Sequence, residues 1–228
     1  MNLVKRAFWN MLLLASPQLY EKTKGRKPGE GYLSAFDATH SIFIHVPKAG
    51  GTSVAMALYG RNIPHATWHK WYDLNPKKFR GYFKFAVIRH PVPRFVSAFN
   101  FLKSGGMNER DQQFANRVLK RFTDASQLAK AMMDYPLQEE ILRWWHFQPQ
   151  VKFVADEAGK SKMDFLIRLE NIDAGFAYVL RRLNYQSLEL PHLNKTSLQN
   201  NSPLDQEACE VLLAIYRRDL MLWENQAS

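Results

Sequence analysis

A chain of 228 residues, 46% hydrophobic and 13% aromatic, holds enough apolar material for a sizeable core. That excludes wholesale disorder, and the length suits one α/β domain better than two. With 31 Lys and Arg against 21 Asp and Glu, the formal charge is +10 and the pI about 9.7; such a surface attracts anions, although an ordinary solvated basic surface carries the same charge.

In chain order, Lys5 and Arg6 precede an apolar run over 7–15 that Asn10 interrupts. The run falls short of the ~20 residues of a membrane span and lacks the long apolar region and clean cleavage site of a signal peptide. It reads as an amphipathic helix that packs on the body or lies on a membrane surface. Residues 21–31 are charged and rich in Gly and Pro, a flexible link. Residues 1–31 are therefore an N-terminal segment with its linker, and 32–228 a single domain.

Residues 41–46 form a short apolar run typical of a buried parallel strand, 47–51 break it, and 52–58 read as helix. A second buried strand covers 83–88, and Pro91 and Pro93 lead into a helix from about 94 to 102. A loop is expected over 103–111 and helices over about 112–147, where Arg117, Lys120 and Arg121 share one side as a glycan-binding patch or a solvated face. A third strand over 164–169 precedes a helix reaching Arg182. The last helix carries Ser202 as cap, Pro203 in the first turn and Asp205 three residues on. Its Cys209, the single cysteine, excludes an intramolecular disulfide, reads as a buried thiol and favours a reducing compartment. This alternation predicts a three-layer α/β fold with a mostly parallel central sheet.

Two strand-to-helix junctions carry chemistry. In His45-Val-Pro-Lys48-Ala49-Gly50-Gly51-Thr52-Ser53, paired glycines allow the backbone to curl closely around an oxyanion at a helix N-terminus. Lys48 adds a point charge, and Thr52 and Ser53 add hydroxyl donors. The alternative is a plain glycine turn. The spacing is not that of a Walker loop, because the lysine precedes the glycines and no hydroxyl follows it where magnesium would be held. In Arg89-His-Pro-Val-Pro-Arg94-Phe-Val-Ser97, an arginine at the strand end and a serine eight residues on can converge on one phosphate. Arg94 could join them or pair with an acidic neighbour. Two anion sites on successive junctions suit a nucleotide with phosphates at both ends of its ribose. No metal is expected, since His65 and His69 lack a third ligand.

The first stretch is similar to the 5′-phosphosulfate loop, Pro-Lys-x-Gly-Gly-Thr-Ser, of PAPS-dependent sulfotransferases, in the group containing the carbohydrate and heparan-sulfate 2-O-sulfotransferases. The second resembles their 3′-phosphate motif, Arg-x-Pro-x-x-Arg-x-x-Ser, with His90 where Asn or Asp is more usual. His146-Phe-Gln-Pro149-Gln150, the strand ending at Glu170, the stretch from Pro191 through Lys195 to Ser197, and Tyr216-x-x-Asp219-Leu resemble later elements of the family, so the likeness spans about 41–223. It implies a P-loop NTPase-like sulfotransferase fold and transfer of a sulfuryl group from PAPS to a hydroxylated acceptor, a glycan, leaving 3′,5′-adenosine bisphosphate. Lys48, Ala49, Gly50, Gly51, Thr52, Ser53, Arg89, Ser97 and Lys195 would then bind the donor, with Lys48 also neutralising charge during transfer. His65 resembles the family's base in a His-x-Thr element, His69 is second to it, and His146 is possible on the acceptor side. Arg143, Trp145, His146 and Gln150, with His69, are the candidates for that side, where the aromatic residues could equally belong to the core. The rivals are a P-loop kinase or NTPase and a basic, non-catalytic nucleotide or glycan binder. No nucleic-acid module is present, and nucleic acid is not an expected partner. A cytoplasmic protein is expected, with the N-terminal segment the candidate for peripheral membrane contact.

Overall fold

The computed structural model describes residues 32–185, 188–191 and 204–226. The N-terminal segment, Lys195 and the expected cap at Ser202 lie outside them.

After a short helix α1 (Ser34–Thr39), strand β1 (Ser41–Ile44) is buried along its whole length. Helices α2 (Gly51–Tyr59), α3 (Trp68–Leu74) and α4 (Pro76–Gly81) lead to β2 (Phe83–Ile88). Beyond it come α5 (Pro91–Lys103), α6 (Glu109–Phe114), a π-helical turn (Ala115–Leu119), α7 (Ala125–Ala131), α8 (Tyr135–Arg143) and α9 (Val151–Val154). Strand β3 (Phe165–Arg168), a 3₁₀ turn (Leu169–Asn171) and α10 (Ile172–Arg182) follow, with α11 (Gln206–Ile215) and α12 (Arg217–Glu224) at the end.

The three strands form a parallel sheet in the order β1-β2-β3, with Phe43 opposite Phe85 and Ala86 opposite Leu166. Strands covered on both faces are rich in apolar side chains, which is why they read as mostly hydrophobic runs. One ion pair lies at the edge of this apolar frame. Asp164, just ahead of β3, accepts from the Lys84 backbone N–H at 2.8 Å and pairs with its ammonium at 2.7 Å. Because the sheet is parallel, all three strands end on one side, and loops leaving those ends can share a ligand.

Two apolar clusters fill the interior. One surrounds the sheet, with Phe36, Phe43, Trp71, Phe85, Phe153 and Phe176 among its members. The other lies among α5, the segment from α6 to α8, and α11, centred on Phe95, Phe99, Phe114, Phe147 and Leu212.

Several local expectations are revised. Pro91 and Pro93 lie inside α5, at its first and third positions, where the backbone N–H they lack would have no partner in the helix. Ser97 is consequently in the second turn, not the first. Asp205, expected within the first turn of the last helical stretch, is itself the cap of α11 and accepts from the Ala208 N–H at 2.9 Å. Cys209, expected as a buried thiol, is half-buried, while its neighbours Ala208 and Leu212 are the residues that α11 buries. Among the described residues, no helix is long and apolar enough to cross a membrane.

Candidate functional site

The loop between β1 and α2 is set by two left-handed residues, Lys48 at φ 63° and Gly50 at φ 77°. Glycine takes this conformation freely, whereas a lysine there stores strain on the order of 1 kcal/mol, of the kind found at ligand clamps. Both glycines also permit close approach. A Cβ on Gly51 would stand 2.7 Å from Phe43 and 2.8 Å from His45, and one on Gly50 would stand 2.5 Å from Leu169. The N-terminus of α2 thus rests directly on the ends of β1 and β3, with its first N–H groups available to an anion.

Burial first, then the cation Arg89 and to a lesser degree Arg94, lower the Lys48 ammonium to about 8 against an opposing effect of Asp111. Its nitrogen lies 3.9 Å from the centre of the Phe101 ring. Arg89 is also held below its ordinary value, first by burial and then by Arg94, with Glu170 opposing. Neither cation has an ion-pair partner among the described residues. The hydroxyls of Thr52, Ser53 and Ser97 likewise make no hydrogen bond to a described residue. Positive charge and hydroxyl donors without partners among the described residues, gathered at the strand ends, make this the candidate anion site.

The supporting shell is held by hydrogen bonds to the backbone. Arg94 is 2% exposed and donates to the carbonyls of Pro47 at 3.0 Å, Gln148 at 2.8 Å and His146 at 3.4 Å. It therefore braces the loop from behind instead of joining a phosphate site or pairing with a carboxylate. Gln150, expected on the acceptor side, is fully buried. Its amide accepts from the Arg89 N–H at 3.0 Å and donates to the Arg89 carbonyl at 2.8 Å, so it prolongs the hydrogen bonding of β2 by one residue. Asp219, also fully buried, accepts from the backbone N–H groups of Gln150 and Val151 at 2.7 and 3.0 Å, and the Tyr216 hydroxyl donates to the Phe147 carbonyl at 2.6 Å. A line of bonds thus runs from α12 through Gln150 to Arg89. His90 caps α5, its Nδ1 accepting from the Val92 N–H at 3.4 Å, the task an Asn or Asp there would perform. Glu170 accepts from the His90 N–H at 3.0 Å and from the Trp223 indole at 3.1 Å.

Three histidines stand close to Lys48 or to one another. His45 donates from Nδ1 to the Ile63 carbonyl at 2.6 Å, and His65 from Nδ1 to the His45 carbonyl at 2.8 Å, with the two rings 4.0 Å apart. A carbonyl only accepts, so Nδ1 carries the proton in each neutral ring and Nε2 holds the lone pair. Burial lowers His65, and Lys48 and Arg94 lower it further, so it is neutral near pH 7. His146 is 8% exposed, lies 3.5 Å from Asp111 through Nε2, and packs edge-on to the same Phe101 ring that carries Lys48. Its Nδ1 is buried with no partner among the described residues, and burial lowers its pKa to about 4.

The remaining expected residues are scattered. His69 is exposed and stacks on Trp68 at 3.7 Å. Trp145 packs edge-on against Phe153. Arg143 is in a separate cleft with Trp144, paired to Glu139 at 3.0 Å. Ala49 is buried beneath the loop. Asp111 and Phe101 were not anticipated. Their spacing carries no motif, and Gly105 and Gly106, both left-handed, fold the α5–α6 turn so that Asp111 reaches His146.

Fold and site together define an α/β protein with cations and hydroxyl donors gathered at the C-terminal ends of parallel strands. The chain belongs to the Sulfotransferase family, which it matches over residues 35–224, and it is a transferase of that kind. No curated protein and no solved structure matches it.

Proposed function

We propose that the chain transfers the sulfuryl group of PAPS to a hydroxyl of a carbohydrate acceptor by in-line displacement, with His65 as general base, in a three-layer P-loop-like fold. The observation that carries this reading is the set of groups at the strand ends without a hydrogen-bond or ion-pair partner among the described residues, Lys48, Arg89, Thr52, Ser53 and Ser97, beside Arg94 and Gln150, which are hydrogen-bonded to the backbone. The N–H groups of 50–53 and Lys48 would hold the 5′ end of the nucleotide, and Arg89 with Ser97 its 3′-phosphate. Bound there, PAPS supplies an activated sulfuryl group on a phosphate leaving group. Lys48 is the only unpaired cation on the loop itself and stabilises negative charge as it builds up. His65 accepts the acceptor's proton at Nε2, because Nδ1 is committed to the His45 carbonyl. The carbohydrate acceptor and the likeness to the heparan-sulfate 2-O branch rest on motif resemblance, from the Pro-Lys-x-Gly-Gly-Thr-Ser loop onward.

The test is the thermal shift of the purified chain with 3′,5′-adenosine bisphosphate, compared with magnesium-ATP and 5′-AMP and repeated for Arg89→Ala. A ligand at about a hundred times its Kd adds ~2.7 kcal/mol of stability. Selective stabilisation by the bisphosphate, lost in Arg89→Ala, supports the reading; equal stabilisation by magnesium-ATP overturns it in favour of a kinase.

A further inference from the structure

Beside the π-helical turn and α8 lies a cleft of about 630 Å³, within the ~300–1,000 Å³ range of small-molecule sites. One wall is aromatic. The rings of Phe114 and Trp144 stack at 4.2 Å with their planes 5° apart, and the Trp144 indole N–H is buried without a partner among the described residues. Tyr135 adds a ring that is 67% exposed. The polar lining consists of two ion pairs, Arg117 with Glu140 and Arg143 with Glu139.

On a chain of net charge +10, this cleft is electrically balanced. Each guanidinium is already matched by a carboxylate, unlike Lys48 and Arg89. A uronate or sulfate entering here would have to displace a glutamate and then sit beside it, a like-charge contact in a partly enclosed site. A neutral polyhydroxylated ring faces no such cost. Its hydroxyls can donate to Glu139 and Glu140 and accept from Arg117 and Arg143 while its C–H face lies on an aromatic ring.

We propose that this cleft binds an uncharged pyranose unit of the acceptor, so that the acceptor is recognised as a neutral sugar at a subsite beside the transfer centre. Two residues of chain, at most ~7 Å, separate Trp144 from His146, and Phe114 lies one helical turn beyond Asp111, the residue that faces His146. The cleft is therefore joined to the Lys48–Phe101–His146 group through adjacent backbone and shares none of its residues. The inference rests on the sulfotransferase reading only in calling the sugar an acceptor.

The test is a glycan array of neutral, uronic-acid-containing and sulfated oligosaccharides probed with the full chain, with hits titrated by calorimetry in wild type, Tyr135→Ala and Trp144→Phe. Neutral glycans should bind with little dependence on salt. Tyr135→Ala should weaken them about tenfold, whereas Trp144→Phe, which keeps a stacking ring and loses only an N–H buried away from the cleft, should leave them nearly unchanged. Both variants should bind 3′,5′-adenosine bisphosphate as wild type does, which also shows that they fold. Binding of acidic glycans alone, no binding of any neutral glycan, or neutral binding indifferent to Tyr135→Ala overturns the proposal. Failure of the bisphosphate to bind wild type counts against the donor reading, and the array result then still decides the cleft on its own.

Discussion

Replacing Lys48 by Met should make the empty protein more stable and the liganded protein weaker, two effects of opposite sign from one side chain. Lys48 is a half-buried cation beside two others, and its drop from 10.5 to about 8 means that folding is opposed by the charged amine. At 1.36 kcal/mol per pKa unit the penalty is on the order of 3 kcal/mol, reduced to ~1–3 by solvent at the exposed part of the amine. Met keeps the stem and the same left-handed backbone but loses the cation–π contact with Phe101, about 0.5–1 kcal/mol. A net gain of ~1–2 kcal/mol, or roughly 2–8 °C in Tm, is expected for a domain of this size at pH 7. The penalty is complete below about pH 8, where both folded and unfolded chains are protonated, and it disappears as pH rises toward 10.5. The Met variant should therefore lose its advantage across that window. Affinity for 3′,5′-adenosine bisphosphate should fall by about 1.5–3 kcal/mol, roughly 10- to 150-fold, the worth of a hydrogen bond to a charged group. Thermal melts at pH 7 and 9.5, with and without the bisphosphate, measure all three effects. A lower Tm for the empty variant combined with unchanged affinity would refute the assignment of Lys48 as an uncompensated anion ligand.

Gly51→Ala places a methyl group 2.7 Å from Phe43 and should cost about 1–3 kcal/mol, seen as a lower Tm and weaker bisphosphate binding; a Tm unchanged within experimental error would contradict the packing. Gln150→Leu leaves the Arg89 backbone N–H and carbonyl without their side-chain partner and should destabilise by about 1–3 kcal/mol by urea denaturation, with bisphosphate affinity falling as well. Arg94→Lys keeps the charge but cannot reach three carbonyls as a planar fork does, so a loss of about 2–4 kcal/mol is expected, against near neutrality if charge alone mattered. Sulfuryl-transfer rates should fall as pH drops through the His65 pKa, which lies below 6.5, because the protonated ring cannot accept a proton; the residual activity of His65→Asn should lack that acidic limb.

The sheet was legible because its strands are buried on both faces. Phe83–Ile88 is the strand expected over 83–88, and the other two differ only by residues at their ends. The turn after β1 was legible for a related reason, since tight curvature needs glycine and leaves its mark in the chain. Helices α1, α3 and α4 escaped because six or seven residues carry too little periodicity to register. Even so, Asn75-Pro76, a capping side chain followed by proline in the first turn, is a start signal for α4 that could have been used. The roles of Gln150 and Asp219 could not be read locally. Resemblance marked the stretches that hold them, but only the fold brings the Asp219 carboxylate to the Gln150 backbone, 69 residues away, and the Gln150 amide to the Arg89 backbone. The Asp111–His146 contact depends in the same way on a turn whose two left-handed glycines precede a helix.

The positive charge of the chain is not spread uniformly in effect, and its arrangement separates the two regions that matter. In the cleft by α8, arginines are neutralised by glutamates, and their charge is spent locally. At the strand ends the opposite holds. Arg94 is buried against three carbonyl oxygens, which satisfy its hydrogen bonds without cancelling its charge, and it depresses both Lys48 and Arg89. The nearest carboxylate it feels, Asp219, is itself raised by burial and committed to two backbone N–H groups. A buried cation held by dipoles instead of a counter-ion is costly to fold, but it gives the loop a fixed positive field with no side chain that must move aside when an anion arrives. That cost has a physical return only if the anion is a regular occupant, which is why the wiring of Arg94 supports a donor site more strongly than the overall charge of +10 does.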